Sequence, residues 1–158
     1  MAFIGAKLAS TVLYINNQPQ NQQQIKNEPF DVTSCIAENG NHWRKIMTIY
    51  AKLCADDPEK WREYRDQQLL QINEQISFSD NINTQATVHI FAGRQCWQRF
   101  IADEQLHSLV SLECQRVFYR KDPVLGMMLY TPYFDYRQFP NQLIEQVREL
   151  LAVPINDG

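Results

Sequence analysis

The chain has 158 residues, with 15 Lys plus Arg against 18 Asp plus Glu and a formal net charge of −3. Area scaling leaves about 8,200 Å² exposed after folding out of about 27,000 Å² in the open chain, so a core forms without disulfide or metal staples. The acid excess disfavours duplex nucleic acid and anionic lipid as partners, and no apolar run approaches the length of a membrane span. The opening segment is interrupted by Lys7 and does not read as a secretory leader. Cys35, Cys54, Cys96 and Cys114 form no CxxC pair, and His42, His89 and His107 have no ligand spacing. These features predict a single cytoplasmic domain over residues 1–158 with reduced cysteines, no metal and no cofactor.

In chain order, the β-branched and aromatic run at 11–15 predicts a first strand. Nine of the twelve residues at 16–27 are Asn or Gln, which predicts a polar, mobile loop over 16–30. Trp43, Ile46, Met47, Tyr50, Leu53 and Cys54 make a stripe at helical spacing. Asp56-Asp57-Pro58-Glu59 ends that helix and starts another. Trp61, Tyr64, Leu69, Ile72 and Ile76 would give the second its apolar face, making a helical hairpin. The apolar run at 86–92 closes on Gly93 and predicts a strand buried on both faces. Trp97, Phe100 and Ile101 then predict a short helix, and Leu106, Leu109 and Val110 a second helical piece. Strands are expected at 116–119 and 124–130, paired as a hairpin or within a mixed sheet. Leu143, Ile144, Val147, Leu150 and Leu151 mark the last helix, bracketed by Pro140 and Pro154. Strands alternating with helices predict an α/β fold, a three-layer α/β/α arrangement with a small, mostly parallel sheet.

Two segments carry residue types suited to binding. In Phe91-Ala92-Gly93-Arg94-Gln95 a buried strand turns into a helix, whose unpaired N–H groups, with the Arg94 guanidinium, would seat an anion. In 131–141, Tyr133, Phe134, Asp135, Tyr136, Arg137 and Phe139 stand between Pro132 and Pro140 in a stiff loop. Such loops at strand ends are where α/β folds bind ligands. Alternatively, Phe134 and Phe139 plug the core and Asp135 pairs with Arg137. No nucleophile elbow or Cys–His motif is present, and His42 stands alone as a possible base at a helix start.

The order of parts in about 60 residues of the carboxy-terminal half resembles the uracil-DNA glycosylase superfamily: the strand, turn and helix of Val88-His89-Ile90-Phe91-Ala92-Gly93-Arg94, then a strand ending in Leu129-Tyr130-Thr131-Pro132-Tyr133. That resemblance implies a three-layer fold with a nucleobase pocket at the strand ends. The chain departs from it at Thr131, where the superfamily's loop carries a His, and lacks its early water-activating motif. The chain also resembles bacterial proteins of unknown function. The expectation is a protein that binds a nucleotide-like or other anionic ligand through Gly93, Arg94, Gln95, Tyr133, Asp135, Tyr136 and Arg137, without glycosylase activity. The alternative is an interaction or structural domain that uses the 131–141 loop, as a homodimer.

Overall fold

The structure, a computed structural model, describes residues 2–20, 29–112 and 116–152. Cys114 and the centre of the expected polar loop lie outside the described residues. The elements in chain order are strands β1 (Phe3–Gly5) and β2 (Thr11–Tyr14), helices α1 (Val32–Asn39), α2 (Asn41–Cys54) and α3 (Trp61–Gln67), and strands β3 (Glu74–Ser77) and β4 (Val88–Ala92). The one-turn helices α4 (Arg94–Trp97) and α5 (Asp103–Leu106) follow, then β5 (Val110–Ser111), β6 (Phe118–Asp122), β7 (Gly126–Thr131) and helix α6 (Asn141–Ala152). The sheet order is β1-β3-β2-β4-β7-β6-β5.

The four central strands, β3, β2, β4 and β7, run parallel. β1 at one edge and the β6–β5 ribbon at the other are antiparallel. The fold is therefore mixed α/β, and its sheet is half antiparallel rather than mostly parallel, with three pairings of each kind. The reason for the departure is local. The turn before Gly126 is too short for a parallel crossover, and Asp122 closes it by accepting from the N–H of Val124 and of Leu125 at 2.8 and 2.9 Å.

The pleat sends alternate residues of β2, β4 and β7 into two cores. Leu13, Ile90, Ala92, Met127 and Leu129 meet the faces of α1, α2, α3 and α6. Val12, Tyr14, Phe91, Met128 and Tyr130 meet Cys96, Trp97 and Leu106 on the other side. Tyr14, Phe91 and Tyr130 stack in a row across three strands, with ring centroids 4.7 and 4.9 Å apart.

Two expectations fail for physical reasons. The second helix of the hairpin stops at Gln67; of the residues read as its continuation, Leu69 lies in a turn, Ile72 in a bend and Ile76 in β3. Leu70 adopts φ +69, which breaks the helix, and its N–H is held by the Glu74 carboxylate at 3.0 Å. Position in the sheet, between β1 and β2, makes Glu-Gln-Ile-Ser a strand despite its weak β propensity. Val110 lies in the edge strand β5 rather than in a helical piece.

α1 was not expected, although it carries a legible signal. Asp31 caps it by accepting from the Ser34 N–H, and Val32, Cys35 and Ile36 supply the buried face.

Candidate functional site

Because β2, β4 and β7 are parallel, their carboxyl ends lie along one rim of the sheet. The chain leaves β2 towards β3 on one side, while β4 pairs on the other, so the order reverses between β2 and β4. That crevice is where open α/β sheets bind ligands. Here it is lined by Asn16 and Asn17 after β2, Gly93, Arg94 and Gln95 after β4, and Tyr133 after β7, enclosing about 330 Å³.

Gly93 makes the approach possible. Its φ is +88, a left-handed conformation suited to glycine, and a Cβ there would stand 3.3 Å from Tyr133 Cδ1. Its N–H donates to Thr131 O at 2.9 Å, tying the ends of β4 and β7. The helix-start anion seat is smaller than expected. α4 has only four residues, and the N–H groups of Cys96 and Trp97 already donate to Gly93 O at 3.0 Å. With so short a helix the macrodipole contributes little, and the side-chain charges matter more.

Those charges gather in an adjoining cavity of about 480 Å³, lined by Arg94, Trp97, Arg116, Phe118, Pro132, Tyr133, Arg137 and Gln138. This size falls within the range of small-molecule sites. Trp97 is anchored by its indole N–H, which donates to Phe91 O and Thr131 O at 2.8 and 2.9 Å. Arg116 donates to Gln138 O. Among the described residues, neither Arg94 nor Arg137 has a carboxylate within salt-bridge distance.

The aromatic loop divides between two tasks. Phe134 and Phe139 are fully buried and meet edge to face at 5.4 Å. Asp135 pairs with Lys45 at 3.3 Å, not with Arg137, and Lys45 also lies over the Tyr136 ring. Tyr136 is 45% exposed and lines neither cavity. Of the seven expected site residues, then, Gly93, Arg94, Gln95, Tyr133 and Arg137 share the rim, whereas Asp135 and Tyr136 sit against α2.

Arg116, Gln138, Asn17 and His42 join the group without having been singled out as binding residues. Tyr133 Oη lies 2.6 Å from His42 Nε2 and accepts from Asn17 Nδ2 at 2.9 Å. Burial pushes the Tyr133 phenol above its ordinary value of 10.0, and nearby Asp135 adds to this, while the Asn17 hydrogen bond acts the other way. The hydroxyl therefore keeps its proton at neutral pH. These contacts join residues 91 and 116 positions apart, so no local pattern could reveal them.

The family model for the Family of unknown function (DUF6942) matches residues 2–152. The chain belongs to that family. No curated protein and no solved structure matches it. The DUF6942 match brings no glycosylase relationship with it, and the local chemistry gives that resemblance no support. Thr131 is fully buried, and its hydroxyl donates to Pro132 O at 3.0 Å. A buried threonine thus stands where the resemblance would need a histidine.

Among the described residues of this DUF6942 chain, no helix is long and apolar enough to cross a membrane. Cys35, Cys54 and Cys96 are free thiols.

Proposed function

We propose that this protein binds a small anionic, nucleotide-like ligand at the carboxyl rim of β2, β4 and β7. One observation carries the reading: Arg94, Arg116 and Arg137 converge on a single cavity that also presents Trp97, Phe118 and Tyr133. Guanidinium forks suit phosphate or carboxylate oxygens, and the aromatic faces suit a flat ring. The ligand's anion sits among the arginines and its ring lies over the aromatic floor. No glycosidic bond is cleaved in this reading. The protein acts as one cytoplasmic domain, supported by its free thiols, and the elements over the second core serve as the third layer of an α/β/α arrangement.

A thermal-shift screen with nucleoside monophosphates, short single strands and inorganic anions tests the proposal. A nucleoside monophosphate should raise the melting temperature of the wild type but not that of Arg94→Ala/Arg137→Ala. A wild type indifferent to every compound would remove the reading.

Tyr136 favours a second reading, in which the 131–141 loop is a contact between two copies of the chain, because it is a large aromatic left exposed on that loop. Light scattering decides it. A dimer lost in Tyr136→Ala supports the contact, and a monomer at every concentration rejects it.

A further inference from the structure

We propose that the crevice between β2 and β4 is a subsite for a neutral, hydroxyl-rich group carried on the ligand's phosphate, so that the ligand class is a nucleoside diphosphate hexose. The proposal rests on the anion-binding reading above and names the substrate class of that same site.

The two cavities share a border and differ in chemistry. Arg94, Tyr133 and Gln138 line both. Beyond them, the larger cavity adds Arg116, Arg137 and aromatic rings, whereas the crevice adds the side-chain amides of Asn16, Asn17 and Gln95. Among the described residues, no carboxylate lines the crevice, and Arg94 at the border is its one cation. Cys96 brings no charge, because burial pushes its thiol up to about 11 and it donates to Tyr14 O at 3.3 Å.

Two of the amides are fixed in orientation. Arg99 donates through Nη1 to Asn16 Oδ1. A guanidinium can only donate, so the amide is held by its oxygen and its NH₂ group is left to donate. Arg99 is itself set by Phe78 O and Ser79 O at 3.3 and 2.9 Å, and Asp80 matches its charge at 2.9 Å. Asn17 Nδ2 donates to Tyr133 Oη at 2.9 Å, which leaves Oδ1 as an acceptor. Gln95 and Gln138 are exposed, and each offers both functions.

This lining discriminates between classes of group. A second anion would find only the cation that the phosphate already uses, and a positive group would find no carboxylate. An apolar group would strip water from the amides without replacing their hydrogen bonds. A hexose carries hydroxyls that each donate and accept, which answers the amides in kind. With Arg94 at the border, the phosphates lie between the two compartments, the base over Trp97 and Phe118 on one side and the hexose on the other.

Calorimetry on the intact chain, in buffer free of divalent cations, compares adenosine diphosphate with its glucose ester and uridine diphosphate with its glucose ester. Esterification removes a negative charge, so a site that reads charge alone binds the free diphosphate more tightly. The wild type should instead bind at least one ester about tenfold more tightly than its parent, the worth of about one net hydrogen bond. The readout is this ratio within each protein, so a variant that weakens both ligands alike leaves it untouched. Asn16→Ala or Gln95→Ala should bring the ratio down towards one. A wild-type ratio of one or below for both pairs would overturn the proposal and leave the arginine site standing. A tenfold ratio kept in both variants would also overturn it, since the hexose would then be held elsewhere. If none of the four compounds binds the wild type, both readings fall together.

Discussion

His89 lies fully buried in β4 with every polar atom of its ring engaged. Its Nδ1 accepts from Tyr14 Oη at 2.8 Å, and its Nε2–H is shared between Ala86 O and Leu125 O, each at 3.0 Å. Tyr14 Oη in turn accepts from the Asn83 N–H at 3.1 Å. Burial holds the imidazole below its ordinary 6.5, against the pull of the two carbonyls, and pushes the Tyr14 phenol up to about 12. A neutral ring favoured by folding contributes stability that is present above the unfolded value of about 6.5 and is lost as pH falls from there through the folded value. His89→Leu should therefore lose roughly 2–4 kcal/mol at neutral pH, since it strands the Tyr14 hydroxyl and two carbonyls. Its loss relative to wild type should shrink as pH falls below about 6.5. Urea melts at several pH values measure both, and a variant as stable as wild type at neutral pH would contradict this account of the ring.

Glu74 carries the opposite sign. Its buried carboxylate accepts from Tyr64 Oη and from the Leu70 N–H, yet burial outweighs these donors and raises its pKa above 4.5. A group raised in this way gives its fullest stability below the unfolded value, and that stability is lost as pH rises through the folded value. Glu74→Gln is expected to gain on the wild type as pH climbs from about 4.5 towards neutrality. A difference that is flat in pH, or that runs the other way in the same melts, would show that the carboxylate is not desolvated as the geometry implies.

Among the elements, β6 and β7 depend on one turn. Gly126 has φ +85, and a Cβ there would stand 2.1 Å from Thr87 O, a backbone atom that cannot step aside. Met127 N–H donates to that same oxygen at 2.9 Å. Gly126→Ala should cost more than about 2 kcal/mol, through strain and the displaced loop together. An unchanged chemical denaturation midpoint would contradict it.

How much of this was legible in the sequence depends on whether the cause is local. The stripes of α2 and α6 and the closed run of β4 are written in residue spacing, and all three elements stand where spacing puts them. β1 and β3 are short and take their strand character from their neighbours, and Glu74 in particular is a strand residue only because β1 and β2 flank it. At the site, Gly93, Arg94 and Tyr133 announce themselves by residue type beside predicted strands. Arg116 does not, and His42 shows only as a lone possible base, because the folded sheet alone brings them to Arg137 and Tyr133. The loop at 131–141 is mixed for a similar reason: Phe134 and Phe139 face the core, while Tyr133 and Arg137 face the rim.

On the scale of the whole molecule, a net charge of −3 coexists with an arginine cluster at one edge of the sheet. In the proposed function, a net acidic chain would disfavour long polyanions while the local cluster would take a small one, so size as well as charge would select the ligand. Binding at the exposed guanidinium groups should weaken as salt is raised, since ions screen them within about 10 Å at moderate ionic strength. The measurement that bears most directly on the central claim is a calorimetric titration of a nucleoside monophosphate into wild type and into Arg94→Ala/Arg137→Ala, with melting curves of both proteins beside it. Saturable binding by the wild type, weakened at least about tenfold in the double variant with its unliganded melting temperature unchanged, is the expected result. Equal affinity in the two proteins, or no heat from the wild type, would contradict the claim that these arginines form a ligand site.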